Sequence, residues 1–263
     1  MLEYDFMRHA FMAGGCVAIV AGATGFFLVL RNLTFAGHAL SHVGFTGATG
    51  AVLLGTSPLW GLLAFTLAAA VAMGLLGERL RGRDVAVGIV LSLALGLGVL
   101  FLYLFTTHAS QATAILFGNV LGVGVETLWS LLGLSIVALS ALAFISRPLL
   151  FATLAPELAE AKGVSLRLVS VLFLAIVAIA VAEAAQIVGV LLVFALMVGP
   201  AAAALRLTAR IGTGVALAVL LALAETWAGI ALAYASDWPS TFWIVLLSCL
   251  VYFASAIGRP ETR

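Results

Sequence analysis

Apolar residues fill this chain in long runs, broken at intervals by short polar turns. The runs cover about 10–30, 36–55, 58–77, 85–105, 128–146, 166–182, 186–205, 211–234 and 240–257. At 1.5 Å of rise per helical residue, runs of about 20 residues cross the ~30 Å hydrocarbon layer of a membrane. Breaks fall at RNLTF, TSP, GERLRGRD, ISRPLLFATLAPELAEAKGVSLR, LRLTARIG and SDWPS. The pattern predicts an all-α integral membrane protein, a polytopic helical bundle of about 8–10 spans. Two stretches fit it poorly. Segment 36–55 holds two histidines, several Ser and Thr and five glycines, so it must face protein or a water-filled path rather than lipid. Segment 109–124 is apolar but short, and is expected to be re-entrant or interfacial.

Composition agrees with burial in a membrane. Hydrophobic residues make up 64% of the chain and charged residues 9%, too few charges to cover a soluble fold. Cys16 and Cys249 both lie in apolar runs and are expected to pack as small hydrophobes. The N-terminus, MLEYDFMRHA, lacks a basic region ahead of a cleavable apolar segment, so it does not read as a signal peptide. With neither a polar globular segment nor a linker, residues 1–263 are expected to form a single transmembrane domain. The net charge of +1 carries no signal for nucleic acid.

The basic residues set the orientation. Placing Arg31, Arg79, Arg81, Arg83, Arg147, Lys162, Arg167, Arg206, Arg210, Arg259 and Arg263 in the cytoplasm leaves, of the 12 basic residues, Arg8 alone outside. This makes TSP, the 106–127 region, the 183–186 turn and SDWPS extracytoplasmic, with Trp60, Tyr103, Tyr234 and Trp238 at interfacial depth.

Polar groups inside the runs carry the chemistry. His38 and His42 are four apart, so on a helix they stack on one face about one turn apart. Two imidazoles so placed can point at one ion, with Zn–N bonds of ~2.0–2.1 Å, and ionisable groups inside a membrane mark transport pathways. The pair can equally be structural, hydrogen-bonded to neighbouring helices and Ser41, or can serve haem or a proton relay. Two ligands fall short of a closed zinc site, which suits a site that must release its ion. Glu225 inside 211–234 reads as a helix–helix hydrogen-bonding group or a pathway ligand. Glu183 and Gln186 fall at the expected outer turn, and His108 at an extracytoplasmic end, as solvated groups or parts of the outer mouth. Asp84 stands where its charge favours a helix N-terminus.

The segment 147–167 contains a short helical pattern at about 152–164. Pro156 lies in its first turn, Glu157 near its positive end and Gly163 at its stop. Such a helix on the cytoplasmic face points to docking, or else to a solvated connector. The chain has no GxxxxGK[ST] phosphate loop, so energy must come from a partner or an ion gradient.

These residues resemble the permeases of bacterial zinc, manganese and iron ABC importers. The likeness runs through RNLTFAGHALSHVGFTG at 31–47, RGRDVAVGIV at 81–90, LFGNVLGV at 116–123 and ATLAPELAEAKGV at 152–164. It continues in QIVGVLLVFALMVGPAAAALRLT at 186–208 and LAYASDWPSTFWIVLLSCLVYFAS at 232–255. The resemblance implies an ABC-importer permease in the bacterial plasma (inner) membrane, paired with a second copy of itself around a central path. It also implies two cytoplasmic ATPase subunits that bind ATP and an external metal-binding protein. No permanently bound cofactor is implied, and the chain is expected to be a transport subunit rather than an enzyme.

In the family, the helix matching 36–55 carries an Asp and a His four apart on the metal path. Here His42 matches that His, His38 stands where the Asp is usual, and Thr46 replaces a common proline. Imidazole in place of carboxylate favours Zn²⁺ over Mn²⁺ as the transported ion, with manganese or iron as the alternative. Glu157, Ala159 and Gly163 match the family's ATPase-contacting helix, with Ala155 where an N-capping Asp is common. Outside the family, a gradient-driven carrier or a membrane haem or metal enzyme would also use intramembrane histidines.

Overall fold

The computed structural model describes residues 3–76, 83–104, 116–190 and 192–257, and among these the regular structure is entirely helical. In chain order the helices are α1 (Asp5–Leu30), α2 (Thr34–Leu53), α3 (Pro58–Leu76), α4 (Arg83–Leu104) and α5 (Val125–Leu154). There follow α6 (Pro156–Ala161), α7 (Leu166–Val188), α8 (Val193–Leu207), α9 (Ile211–Ser236) and α10 (Ser240–Ile257). Each of the nine apolar runs becomes a helix. Seven are long and apolar enough to cross a membrane: α1, α3, α4, α5, α7, α9 and α10. At 20 residues α2 has the length but is more polar, and α8 has 15 residues, a rise of ~22 Å.

Helices α1 and α7 form the centre of the bundle. α1 packs on α5, α7, α8 and α9, while α7 packs on α1, α2, α3 and α5. Small residues let the antiparallel backbones approach: Gly14 lies opposite Thr226 and Ile230, Gly22 opposite Val219, and Gly214 opposite Phe26. α4 is the helix most open to its surroundings, with Ile89, Leu93 and Val99 exposed as a lipid-facing side requires. Hydroxyls in the spans are satisfied locally. Thr24 donates to the Val20 carbonyl at 2.6 Å and Thr66 to the Leu62 carbonyl at 2.7 Å.

One end of the bundle collects Arg31, Arg206 and Arg210, with Arg8 at the other end of α1. Arg31 after α1 contacts Leu149, Thr153 and Ser170, which places that corner beside the end of α5 and the start of α7. The α8–α9 turn with Arg206 and Arg210 lies at the same end, because Gly214 meets Phe26 of α1. These groups share one end, as the expected orientation requires. Trp60, Tyr103, Tyr234 and Trp238 are all exposed near helix ends, as interfacial aromatics should be. Asp84 stands in the first turn of α4, and both cysteines are free thiols. His108, Arg79, Arg81, Arg259 and Arg263 lie outside the described residues, as does 109–115 of the 109–124 segment. The described remainder of that segment holds helical residues 116 and 117 and the 3₁₀ turn Val120–Gly122, closed by the Asn119 side chain accepting from the Gly122 N–H at 3.0 Å.

Two expected breaks are displaced. The run at 128–146 was expected to stop before Pro148, but α5 continues through that proline to Leu154. Membrane helices tolerate an internal proline, and past it the helix end is held by Arg31 and Thr153, which both donate to the Leu149 carbonyl. The outer turn at 183–186 is not a turn. Glu183 and Gln186 lie within α7, because the alanine-rich stretch around them sustains helix until Gly189.

Gly189 ends α7 with φ +83, and Gly118, with φ +73, packs directly against it. A Cβ on either glycine would collide with the other's backbone. Gly189→Ala should therefore lower stability by about 1–3 kcal/mol from backbone conformation alone, with the clash added to it. Gly88→Ala in α4, whose added methyl meets open space, should be neutral or stabilising. Thermal unfolding of the two variants in detergent checks this, and an undisturbed Gly189→Ala would refute the close packing at the outer mouth.

Candidate functional site

Helix α2 is held by α3, α4, α7 and α8. Gly47 faces Gly61 of α3 so closely that a methyl on either would strike the other's carbonyl. Thr46, in the place of the family's proline, donates to the Ala94 carbonyl of α4 at 2.7 Å and ties the two helices. Packing on these sides buries Ala36, Gly37, Ala39, Leu40, Ser41, Val43 and Gly44. One stripe stays open: Phe35 is exposed, and His38, His42 and Phe45 are half-buried. The spacing of three and four puts these side chains on one face.

The two imidazoles meet edge to face, with ring centres 4.7 Å apart and planes at 89°. Phe194 completes the cluster, 5.5 Å from His38. Phe194 is the second residue of α8 and His38 the fifth of α2, a helix running the opposite way through the layer. Their contact sets the start of α8 level with the histidines, below the outer surface. The Gly189 turn and the 116–122 segment stand above it.

Neither imidazole makes a hydrogen bond to another described residue. The Ser41 hydroxyl donates to the His38 main-chain carbonyl at 2.7 Å, within its own helix, so Ser41 is not a partner of the rings. The structural alternative of histidines bonded to Ser41 and adjacent helices is not what the fold contains among the described residues. Rings at this separation can each offer a nitrogen to one ion. No group of three or more His, Cys, Asp or Glu suited to a metal occurs among the described residues, so the chain itself brings a pair.

The remaining sequence candidates do not join this pair. Glu183 is fully buried in α7, where one oxygen accepts the Ser135 hydroxyl of α5 at 3.0 Å. Gln186 is half-buried one turn further along α7. Glu225, buried in α9, lies beside Ser248 of α10, whose hydroxyl donates to the Ala195 carbonyl of α8 at 2.9 Å. Nothing local in the chain marks Phe194, Ser135 or Ser248, whose partners are remote in sequence. Thr46 was visible as a departure from the family pattern, but its acceptor on α4 was not.

At the cytoplasmic end, α6 is six residues long, preceded by Ala155 with no side-chain cap, as the loss of an Asp there implies. Gly163, with φ +82, closes it, and the Val164 N–H reaches back to the Ala159 carbonyl at 2.9 Å. Ala159 is fully buried, so its methyl seats α6 on the protein and is not itself a docking contact. The outward surface is Glu157, Leu158, Glu160 and the Gly163 turn.

A family model, the ABC 3 transport family, matches residues 3–259. The chain belongs to that family. The manganese transport system membrane protein MntC of Listeria monocytogenes is 28% identical to it over 99% of this chain and 93% of its own length. A probable metal transport system membrane protein of Treponema pallidum is 31% identical, with 100% of both chains covered. The solved structure of PsaBC from Streptococcus pneumoniae in complex with Fab superposes with a TM-score of 0.86 at 25% identity, over 97% of this chain and 92% of that one. The protein is thus a metal ABC-importer permease, a multi-pass transport protein of the bacterial plasma membrane.

Thiol labelling tests the open stripe of α2. In a Cys16→Ser, Cys249→Ser background, His38→Cys and His42→Cys should react with a small water-soluble thiol reagent. Ser41→Cys should not. Equal labelling at all three positions would show that the stripe is not the accessible side of α2.

Proposed function

We propose that the chain is the membrane subunit of an ATP-driven importer that carries a divalent metal ion, Zn²⁺ in the first instance, along the open face of α2. What carries this reading is the pair His38 and His42, edge to face on the one accessible stripe of a helix otherwise buried in protein. Two such faces, brought together in a dimer of this chain, would offer up to four imidazole nitrogens across a central path. Each half-site alone is too weak to trap the ion, which allows release. Neutral imidazole is the ligand form, so acid weakens uptake.

The partners follow from what the chain lacks and what it displays. It has no phosphate loop, so ATP is bound and hydrolysed on separate cytoplasmic subunits. α6 presents Glu157, Leu158 and Glu160 for them. An external binding protein delivers the ion to the outer mouth, around the Gly189 turn and the 116–122 segment.

A second reading, manganese, is favoured by the relatives, several of which are described as manganese permeases. Against it stands the donor set. Manganese prefers oxygen ligands, and His38 occupies the position where a carboxylate is usual in the family. Uptake of zinc and manganese in competition, by the parent and by His38→Asp with all partners present, separates the two. The parent should prefer zinc and His38→Asp should shift towards manganese. Equal selectivity in both would sink the zinc assignment. His42→Ala should abolish uptake of either ion, and normal uptake by that variant would remove the α2 pathway altogether.

A further inference from the structure

Arg31 is the residue at which three parts of the cytoplasmic end meet. Its guanidinium donates to the Leu149 carbonyl at 3.4 Å and the Thr153 hydroxyl at 3.1 Å, both in the last turns of α5. Its other amino group donates to the Ser170 hydroxyl of α7 at 3.1 Å. Its centre lies 5.7 Å over the ring of Phe173, a fully buried α7 residue. A small cavity of about 240 Å³ beside it is lined by Ala152, Thr153 and Ser170, and also by Pro156, the first residue of α6. The fork of Arg31 therefore grips the two helices that flank α6.

The same residue caps α1, and the turn that follows is stiff. The Asn32 N–H bonds the Val29 carbonyl at 3.0 Å and the Leu33 N–H bonds the Leu28 carbonyl at 2.9 Å, with Asn32 at φ 55. This is the doubly bonded helix ending with a left-handed residue, and its two apolar positions, Leu28 and Leu33, are both buried. α2 begins at Thr34, and Gly37 packs against the Leu28 side chain. His38 follows at the next position. A displacement of Arg31 therefore reaches the first turn of α2 without a flexible link.

We propose that Arg31 is a positioning residue that couples movement of α6 to the tilt of α2, so that the force of ATP-driven closure reaches the histidine face through this fork. Contiguous packed and hydrogen-bonded elements are what carry such coupling between separated sites. The inference rests on the reading of α6 as the ATPase-docking element and adds the route by which docking is felt at the pathway.

The test uses the assembled transporter in proteoliposomes, permease with its ATPase and binding protein, supplied with Zn²⁺ alone and with Mn²⁺ alone. Metal taken up and ATP hydrolysed are measured together. Arg31→Ala should still assemble and hydrolyse ATP, but the metal moved per ATP should fall about tenfold, within the usual range of coupling between sites. Arg31→Lys, which keeps the charge and loses the fork, should fall between the two. A variant that merely loosens the protein lowers uptake and hydrolysis together and leaves their ratio unchanged, so an unchanged ratio in Arg31→Ala overturns the proposal. Should Arg31→Ala not assemble, Thr153→Val with Ser170→Ala removes the two hydroxyl acceptors instead, and the same ratio decides. Leu158→Asp on the outward face of α6 distinguishes the underlying reading. If it abolishes co-purification of the ATPase while Arg31→Ala keeps the parental ratio, docking stands and the coupling route falls. If the ATPase still co-purifies with Leu158→Asp, the docking role of α6 falls and the proposal with it.

Discussion

Inside hydrocarbon a polar group has no water to turn to, so it must find its partner within the protein. Most polar side chains of this fold obey that constraint at short range. Thr24, Thr49 and Thr66 bond their own helix, Thr46 bonds α4, and Ser248 bonds α8. Even fully buried Glu183 has Ser135. Among the described residues, Glu225 and Thr226 leave oxygens unbonded but buried, whereas His38 and His42 lie on a half-open face with rings edge to face with each other and with Phe194. A side chain with unmet capacity in a membrane is where an outside ligand is expected to enter.

The same constraint explains what could be read from the chain and what could not. Nine helices were legible because each apolar run had to satisfy its backbone internally, and helix is the way one segment does so alone. Ends were less legible. Pro148 looked like a stop, but one proline costs a single helix bond, and the turns beyond it are anchored by Arg31 and Thr153 on the Leu149 carbonyl. Glu183 looked like a turn because carboxylates usually sit outside the layer. The true end is Gly189, whose left-handed backbone is invisible in a hydropathy pattern. The stacking of His38 on His42 followed from a spacing of four, whereas the openness of that face depends on which sides α3, α4, α7 and α8 occupy. That is tertiary information.

The two ends of the pathway are built in different ways. At the outer side, left-handed glycines at 118 and 189 lock the 116–122 segment onto the end of α7. α8 then starts low enough to bring Phe194 to His38. At the cytoplasmic side the junction is made by one long cation, with α1, α5 and α7 converging on Arg31. Glycine contacts admit almost no displacement without collision. A fork of hydrogen bonds onto hydroxyls can be remade in more than one arrangement, which is what a moving end needs.

This asymmetry bears on how a weak metal site could work. On the proposed reading a pair of imidazoles is too few for tight binding, and occupancy would depend on whatever brings further ligands to the open face. If those ligands come from a second copy of α2, affinity is set by the distance between two helices rather than by either one. Small changes of tilt then alter binding steeply, because a ligand bond of about 2 Å tolerates little stretch. The stiff corner Asn32–Leu33 joins the start of α2 to Arg31, so under the coupling proposed above tilt at the histidines follows the cytoplasmic elements. The departure at position 38 adds to this. A carboxylate can bind through either or both oxygens, while imidazole offers one nitrogen in one direction, so on the proposed reading a site built on His38 is the more demanding of helix placement.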